Sequence, residues 1–148
     1  MIILANLTNL DEIAFLFEEY RAFYKQEPDP IGAREFLKAR IQSNESVIYG
    51  FKEENQLIGF TQLYPSYSST RMKRIWILND LFVLPEHRGK GISKKLIDAA
   101  KELAISTNAA GLLLETAKTN DIGNSLYPAT GFHLESDTNF YWWTAPGS

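Results

Sequence analysis

The chain has 148 residues, a formal net charge of −3, and hydrophobic and charged fractions of 45% and 22%, the balance of a soluble globular protein with one ordinary core. The absence of cysteine excludes disulfides, thiolate metal sites and a cysteine nucleophile, and two histidines are a poor basis for a zinc site. A mildly acidic chain without a long apolar run or a basic leader predicts a cytoplasmic protein that binds neither nucleic acid nor membrane.

The first half of the chain shows the periodicities of one strand, two helices and a hairpin. Thr8, followed three residues later by Asp11, indicates a capping box at the start of the first helix. A proline-rich break at 28–30 separates the two helices, and a polar turn at 53–56 separates the two strands of the hairpin. The predicted elements are a strand at 2–5, helices ending near residues 25 and 43, and strands at 47–52 and 57–64.

The second half alternates strands with helices and contains no internal repeat or low-complexity linker. A strand at 75–84 leads through a glycine turn into an amphipathic helix at 91–106. The remaining predicted elements are a strand at 111–116, a short helix at 122–129 and an aromatic strand at 139–144. This order predicts a single α/β domain over residues 1–148 with a mixed sheet.

The glycine turn has the sequence Glu86-His87-Arg88-Gly89-Lys90-Gly91. Glycines let backbone amides approach a ligand, and these amides, the helix N-terminus and two cations predict an anion site suited to a pyrophosphate. A tight connection whose glycines only supply positive φ angles is the alternative. The Walker and Rossmann glycine patterns and the nucleophile elbow do not occur, which excludes the kinase, dehydrogenase and esterase interpretations.

Two motifs give the chain a resemblance to the GCN5-related N-acetyltransferases. The family signature Q/R-x-x-G-x-G/A matches both glycines of residues 86–91 and departs from the family at Glu86. The family's Asn, followed seven residues later by Tyr and then by Gly-Phe, is present as Asn120, Tyr127 and Gly131-Phe132. The resemblance covers essentially the full length. It implies an α/β fold of layered α+β type, with a mixed, mostly antiparallel sheet flanked by helices and a splayed strand pair holding acetyl-CoA.

The same resemblance implies which residues contact acetyl-CoA, most of them through the main chain. It also assigns to Tyr127 the role of the acid that protonates the leaving thiolate, with a plain core aromatic as the alternative. The implied cofactor-binding residues are Leu81, Phe82, Val83, Arg88, Gly89, Lys90, Gly91, Ile92, Ser93, Asn120 and Tyr127.

The acceptor amine must be neutral when it attacks, and a lysine-like amine is neutral in only about one of 2,500 molecules at pH 7. A base or a water chain is therefore expected, and direct attack in a ternary complex is simpler than a covalent acetyl-enzyme. Asp80 is the candidate base or ligand of a cationic acceptor, with Glu115 as the alternative. The segment resembles polyamine acetyltransferases, where two consecutive carboxylates stand at this place; here the first is Asn79.

In folds of this kind the acceptor pocket is lined by the first helices and the central hairpin. Aromatic side chains there predict a cleft that favours cations, with ordinary core aromatics as the alternative. The predicted substrate-binding residues are Tyr20, Tyr24, Tyr64, Trp76, Asp80 and Glu115. The predicted acceptor is a primary amine of a small molecule or peptide, and no metal is expected.

Two other functions stay open at the level of sequence: a catalytically silent acyl-CoA-binding module, and transfer from another donor such as succinyl-CoA. Tyr127 favours catalysis, because a silent module has no use for an acid. Four consecutive aromatics at 140–143 exceed what one buried face of a strand requires, which predicts a homodimer.

Overall fold

A computed structural model describes all residues from 1 to 148 and contains five strands and four helices. Their bounds are β1 Ile2–Leu4, α1 Leu10–Phe23, α2 Pro30–Gln42, β2 Val47–Glu53, β3 Gln56–Ser68, β4 Lys73–Val83, α3 Ile92–Ser106, β5 Leu112–Leu113 and α4 Asp121–Ala129. The chain divides into two compact units, Met1–Glu115 and Thr116–Ser148. All four helices fall short of the length and apolar character that crossing a membrane requires.

Short polar side chains start the first two helices. The Asn6 side chain accepts from the amide of Thr8, and Asn6 with Asn9 forms a capping box at a 3-10 turn that leads into α1. The capping box predicted to begin at Thr8 is therefore wrong. In α2 the Asp29 carboxylate accepts from the amide of Gly32 at 2.9 Å, so the proline-rich break is itself the helix start.

The sheet lies in the first unit and has the strand order β1-β2-β3-β4-β5. The first four strands are antiparallel, whereas β5 pairs with β4 in parallel, so the predicted mixed, mostly antiparallel sheet is confirmed. Only two residue pairs join β4 to β5, Trp76 with Leu112 and Ile77 with Leu113. Beyond Ile77, β4 has no hydrogen-bonded neighbour on the β5 side, which leaves the backbone of its second half open on that edge.

Helices α1 and α3 cover opposite faces of the sheet. The ring of Phe60 on β3 lies 6.4 Å from Phe17 and 5.9 Å from Tyr20 of α1. A Cβ added at the neighbouring Gly59 would lie 3.4 Å from Leu96 of α3. Successive residues of a strand point to opposite faces, so the two helices pack on different sides.

In the second unit, α4 forms as predicted, but the predicted strand at 139–144 is wrong. These residues adopt no regular structure, and the side chains from Phe140 to Trp143 are between 69% and 91% exposed. A strand requires a hydrogen-bonded neighbour, and within the chain this segment has none. We call residues 140–143 the aromatic segment.

Candidate active site

The turn between β4 and α3 presents backbone amides at the start of a 15-residue helix. Gly89 and Gly91 have φ angles of 81° and 77°, and a Cβ on either would meet no atom within 4 Å. Gly91 caps α3 without a side-chain hydrogen bond, and the first helical bond runs from the Lys95 amide to the Gly91 carbonyl at 3.2 Å. The Arg88 amide already donates to the carbonyl of Pro85 at 3.3 Å. The amides from Gly89 to Lys94 have no helical partner, which makes this helix start suited to an anion.

The two cations of the turn are engaged with the protein. Arg88 donates from Nε to the carbonyl of Val83 at 2.9 Å, and its guanidinium lies 5.5 Å from the centres of the Phe23 and Phe82 rings. Lys90 Nζ lies 3.7 Å from a carboxylate oxygen of Glu53. Arg88 therefore links the turn to β4 by a hydrogen bond. Because both cations have partners within the protein, the attraction of the turn for anions comes mainly from the backbone amides.

The other predicted cofactor residues next to the turn differ in exposure. The side chains of Phe82, Val83 and Ile92 are buried in the core, so only their main chains are available to a ligand. Leu81 and Ser93 are half-buried. Because β4 lacks a neighbour beyond Ile77, the main chain at Leu81 lies on the open edge of the sheet.

A bulge in β4 determines which side chains share a face. Gln62 of β3 pairs with Asp80, and the next residue, Leu63, pairs with Leu78, so Asn79 is the extra residue. The bulge reverses the alternation of β4. Asp80 consequently faces the α1 side, whereas Trp76 faces the α3 side.

Contacts agree with this reversal. The ring of Phe82, two residues after Asp80, lies 6.1 Å from Tyr20 of α1. The Nε1 of Trp76 donates to the hydroxyl of Thr107, just after α3, at 2.9 Å. The structure therefore does not bring Trp76 to the group that contains Tyr20 and Asp80.

Asp80 is 3% exposed and is held by neutral donors. Its Oδ2 accepts from Gln62 Nε2 at 2.6 Å and its Oδ1 from Asn79 Nδ2 at 3.1 Å, and the Tyr20 hydroxyl is a further hydrogen-bond partner. Burial raises the pKa of the Asp80 carboxyl, and these hydrogen bonds offset only part of that rise. A carboxylate with a raised pKa is a better proton acceptor near neutral pH.

Of the predicted substrate tyrosines, Tyr20 and Tyr64 lie near Asp80, and Tyr24 packs on Tyr20. The Tyr20 ring packs edge-on against Tyr24 at 4.9 Å, and the Tyr20 hydroxyl donates to the carbonyl of Asn79 at 3.3 Å. Burial, with a smaller contribution from the charge of Asp80, raises the pKa of Tyr64 to about 12, so this phenol stays neutral at ordinary pH. Glu115, the alternative base, is exposed at the end of the first unit.

Asn120 and Tyr127 lie in the second unit, at the two ends of α4. Asn120 caps the helix: its Oδ1 accepts from the Gly123 amide at 3.1 Å, and its Nδ2 donates to the Thr116 hydroxyl at 2.8 Å. Both ends of this side chain amide are thus engaged within the second unit.

The Tyr-Gly-Phe part of the motif is the C-terminal cap of α4. Gly131 has a φ of 98°, the amide of Phe132 donates to the Tyr127 carbonyl at 3.0 Å, and the Gly131 amide donates to Pro128 at 3.1 Å. This pattern is a Schellman motif, and the Tyr127 and Phe132 rings, 5.9 Å apart, make its hydrophobic contact. The motif therefore has a structural function in addition to the role that the resemblance assigns to the Tyr127 hydroxyl.

Sequence analysis missed Gln62, which is fully buried beside Asp80. A signal was present, because Thr61 and Gln62 interrupt the otherwise apolar run at 57–64. Polar residues in the centre of a buried strand need partners, and the partner here was set by the register and the bulge.

Comparison with known proteins agrees with the geometry. Residues 13–132 match the model of the Acetyltransferase (GNAT) family. The chain belongs to this family. It is 48% identical over 136 residues to the uncharacterized N-acetyltransferase YhfO of Bacillus subtilis, covering 92% of this chain and 90% of that protein. The predictions of the GNAT fold and of an N-acetyltransferase are confirmed at the level of the family.

Two solved GNAT-like structures extend the comparison. The crystal structure of a probable acetyltransferase is 37% identical, has a TM-score of 0.94, and covers 100% of this chain and 99% of its own. An aminoglycoside N-acetyltransferase solved in complex with CoA is 20% identical with a TM-score of 0.83, covering 98% of this chain and 95% of its own. The second likeness concerns the fold alone.

Proposed function

We propose that this chain transfers the acetyl group of acetyl-CoA to a primary amine of a small molecule or peptide, by direct attack in a ternary complex. The observation that carries the proposal is the turn at 88–93, whose glycines hold left-handed angles and whose amides from Gly89 onward have no helical partner. Family membership supplies the reaction class, and the turn supplies a place for the pyrophosphate of the donor.

The residues of the first unit fit the two polar parts of acetyl-CoA. The amides from Gly89 to Ser93 would hold the pyrophosphate, and the open edge of β4 at Leu81 would pair with the amides of the pantetheine arm. The resemblance implies that the backbones of Leu81 and Val83 both lie along this arm. Because the carbonyl of Val83 already accepts from Arg88, Leu81 is the stronger candidate. When bound, acetyl-CoA supplies an acyl thioester and a thiolate leaving group.

Asp80 and Tyr127 have complementary proton roles in this proposal. Asp80 takes the proton that the acceptor ammonium must lose, directly or through water, and its raised pKa suits it to that task. Tyr127 donates its phenol proton to the sulfur as the carbon–sulfur bond breaks. The aromatic rings of Tyr20, Tyr24 and Tyr64 would favour a cationic acceptor near Asp80.

An assay of thiol release tests the proposal. The purified protein is incubated with acetyl-CoA and a panel of amines, including polyamines, amino acids, aminocyclitol antibiotics and lysine peptides, with a reaction lacking amine as the control. Amine-dependent thiol release with a matching acetylated product is the expected result. Binding of acetyl-CoA without turnover of any amine would instead indicate the silent module, and turnover with succinyl-CoA alone would indicate another donor.

We also propose that two copies associate through the aromatic segment. Its four side chains are exposed within the chain, and large exposed aromatic patches mark interaction surfaces. A second copy is the occupant we favour, because the same segment on two copies supplies the area that a stable dimer requires.

A further inference from the structure

The centre of the sheet contains a pair of buried polar side chains on adjacent strands. Gln62 of β3 is 0% exposed and Asp80 of β4 is 3% exposed, and they stand opposite one another in the register. The Nε2 of Gln62 donates a hydrogen bond to Asp80, while its Oε1 is buried and has no hydrogen-bond partner. An unsatisfied buried acceptor lowers stability, so an apolar side chain would suit this position better if only packing mattered.

The Gln62 amide acts directly on the carboxylate. It makes the shorter of the two measured hydrogen bonds to the Asp80 oxygens, 2.6 Å against 3.1 Å for Asn79. Unlike Asn79, which is exposed on the bulge, Gln62 is fixed by burial on a strand paired on both sides. A rigid neutral donor of this kind fixes the rotamer of a carboxylate and favours its charged form.

The other groups around Asp80 are less suited than Gln62 to fixing the carboxylate in one orientation. The Tyr20 hydroxyl of α1 is a hydrogen-bond partner of the Asp80 carboxylate and also of the Asn79 carbonyl. Tyr64 of β3 lies close enough to feel the charge of Asp80 and is a neutral phenol. Arg40 of α2 acts on Tyr64, and no cation pairs with Asp80 itself.

We propose that Gln62 is a positioning residue for acetyl transfer: it orients the Asp80 carboxylate and keeps it in the charged form that accepts the proton of the acceptor amine. The inference rests on the proposed function. It requires no contact between Gln62 and the substrate, and it leaves the chemical step unchanged: the amine proton moves to Asp80.

Gln62→Met tests the inference, because it keeps the length of the side chain and removes the donor. Thr61→Val is the matched control: Thr61 is equally buried on the same strand, and its hydroxyl donates at 2.8 Å to the main-chain carbonyl of Asp80 instead of the carboxylate. Two readouts are compared: the titration of the Asp80 carboxyl followed by ¹³C NMR without substrate, and kcat/KM against pH with one amine.

In Gln62→Met we expect the Asp80 titration to move to higher pH and kcat/KM on the acidic side to fall about tenfold, while the plateau at high pH is retained. Thr61→Val should be less stable than the parent, but its Asp80 titration and its pH dependence of kcat/KM should be those of the parent. Gln62→Leu, which also replaces the donor by an apolar side chain, should move both in the same direction and serves if the Met variant does not fold.

An unmoved Asp80 titration in both Gln62 variants overturns the inference. The inference is also overturned if the Asp80 titration moves while kcat/KM at acidic pH is unchanged. Gln62 would then act on a carboxyl that the reaction does not use. In both cases the parent still releases thiol, so the proposed acetyl transfer stands, although in the second case Asp80 is not its proton acceptor. A parent that releases no thiol with any amine ends the proposed function and this inference together.

Discussion

At the residue scale, Tyr127→Phe removes the phenol hydroxyl and keeps the ring that packs against Phe132. The contact with Phe132 and the hydrogen bonds of the α4 cap use the ring and the main chain. We therefore expect Tyr127→Phe to bind acetyl-CoA like the parent and to lose turnover by about 10²–10⁴-fold, the usual contribution of general acid catalysis. Calorimetric binding and steady-state kcat with the best acceptor are the measurements.

Tyr49→Phe is the control, since it removes the phenol of a half-buried tyrosine on β2 that has no predicted role in the site. It should keep the parental kcat. Parental turnover in Tyr127→Phe, with thiol release not limited by product departure, would show that water or the substrate protonates the thiolate.

Single site residues were predictable from sequence where they stand in a motif. They were less predictable where the register of the strands decides which face of the sheet a side chain occupies. Asp80 was identified from its place before the turn, and its burial supports a functional carboxylate. Trp76 was grouped with Tyr20 as an aromatic residue expected to line the acceptor pocket, yet the bulge at Asn79 turns it to the other face. A bulge adds one residue without a distinctive sequence, which is why simple alternation failed here.

At the scale of elements, local signals were sufficient for helices and incomplete for strands. The apolar periodicity of α3 gave its bounds to within one residue, because a helix satisfies its backbone internally. The strand predicted at 111–116 shortens to Leu112–Leu113, and 139–144 forms none. Strand formation depends on a neighbour that the sequence of the segment does not specify.

The start of α3 yields the element-scale prediction. Gly91→Val places a β-branched residue at a φ of 77°, although no atom obstructs the added Cβ. The left-handed conformation costs an L-residue roughly 1–2 kcal/mol, so the turn should relax away from the geometry that aims its amides. We expect the Kd for acetyl-CoA, measured by calorimetry on the folded variant, to rise about tenfold.

Gly111→Val is the matched control for this change. Gly111 also has open space around its Cβ position but does not have a positive φ, so a side chain there should leave acetyl-CoA binding unaltered. Equal affinity of Gly91→Val and the parent would contradict the assignment of the turn to the pyrophosphate.

At the scale of the whole molecule, the family and the sheet were predictable because two motifs and the order of elements agree over the chain. The single domain over 1–148, the cytoplasmic location and the homodimer stay predictions. The acceptor amine was not predictable from sequence, since specificity depends on side chains that come together only through register and helix packing, as Tyr20 and Asp80 do.

The aromatic segment carries the prediction about assembly. Aromatic side chains bury about 150–250 Å² each, so four on each of two copies supply about 1,200–2,000 Å², the size of a stable interface. Light scattering of the parent should give about twice the 16.8 kDa chain mass, and replacing Trp142 and Trp143 by Ser should give the single-chain mass. Ile105→Ser, at an exposed residue of α3, is the control and should stay dimeric. A parent of 16.8 kDa at working concentration would exclude the dimer.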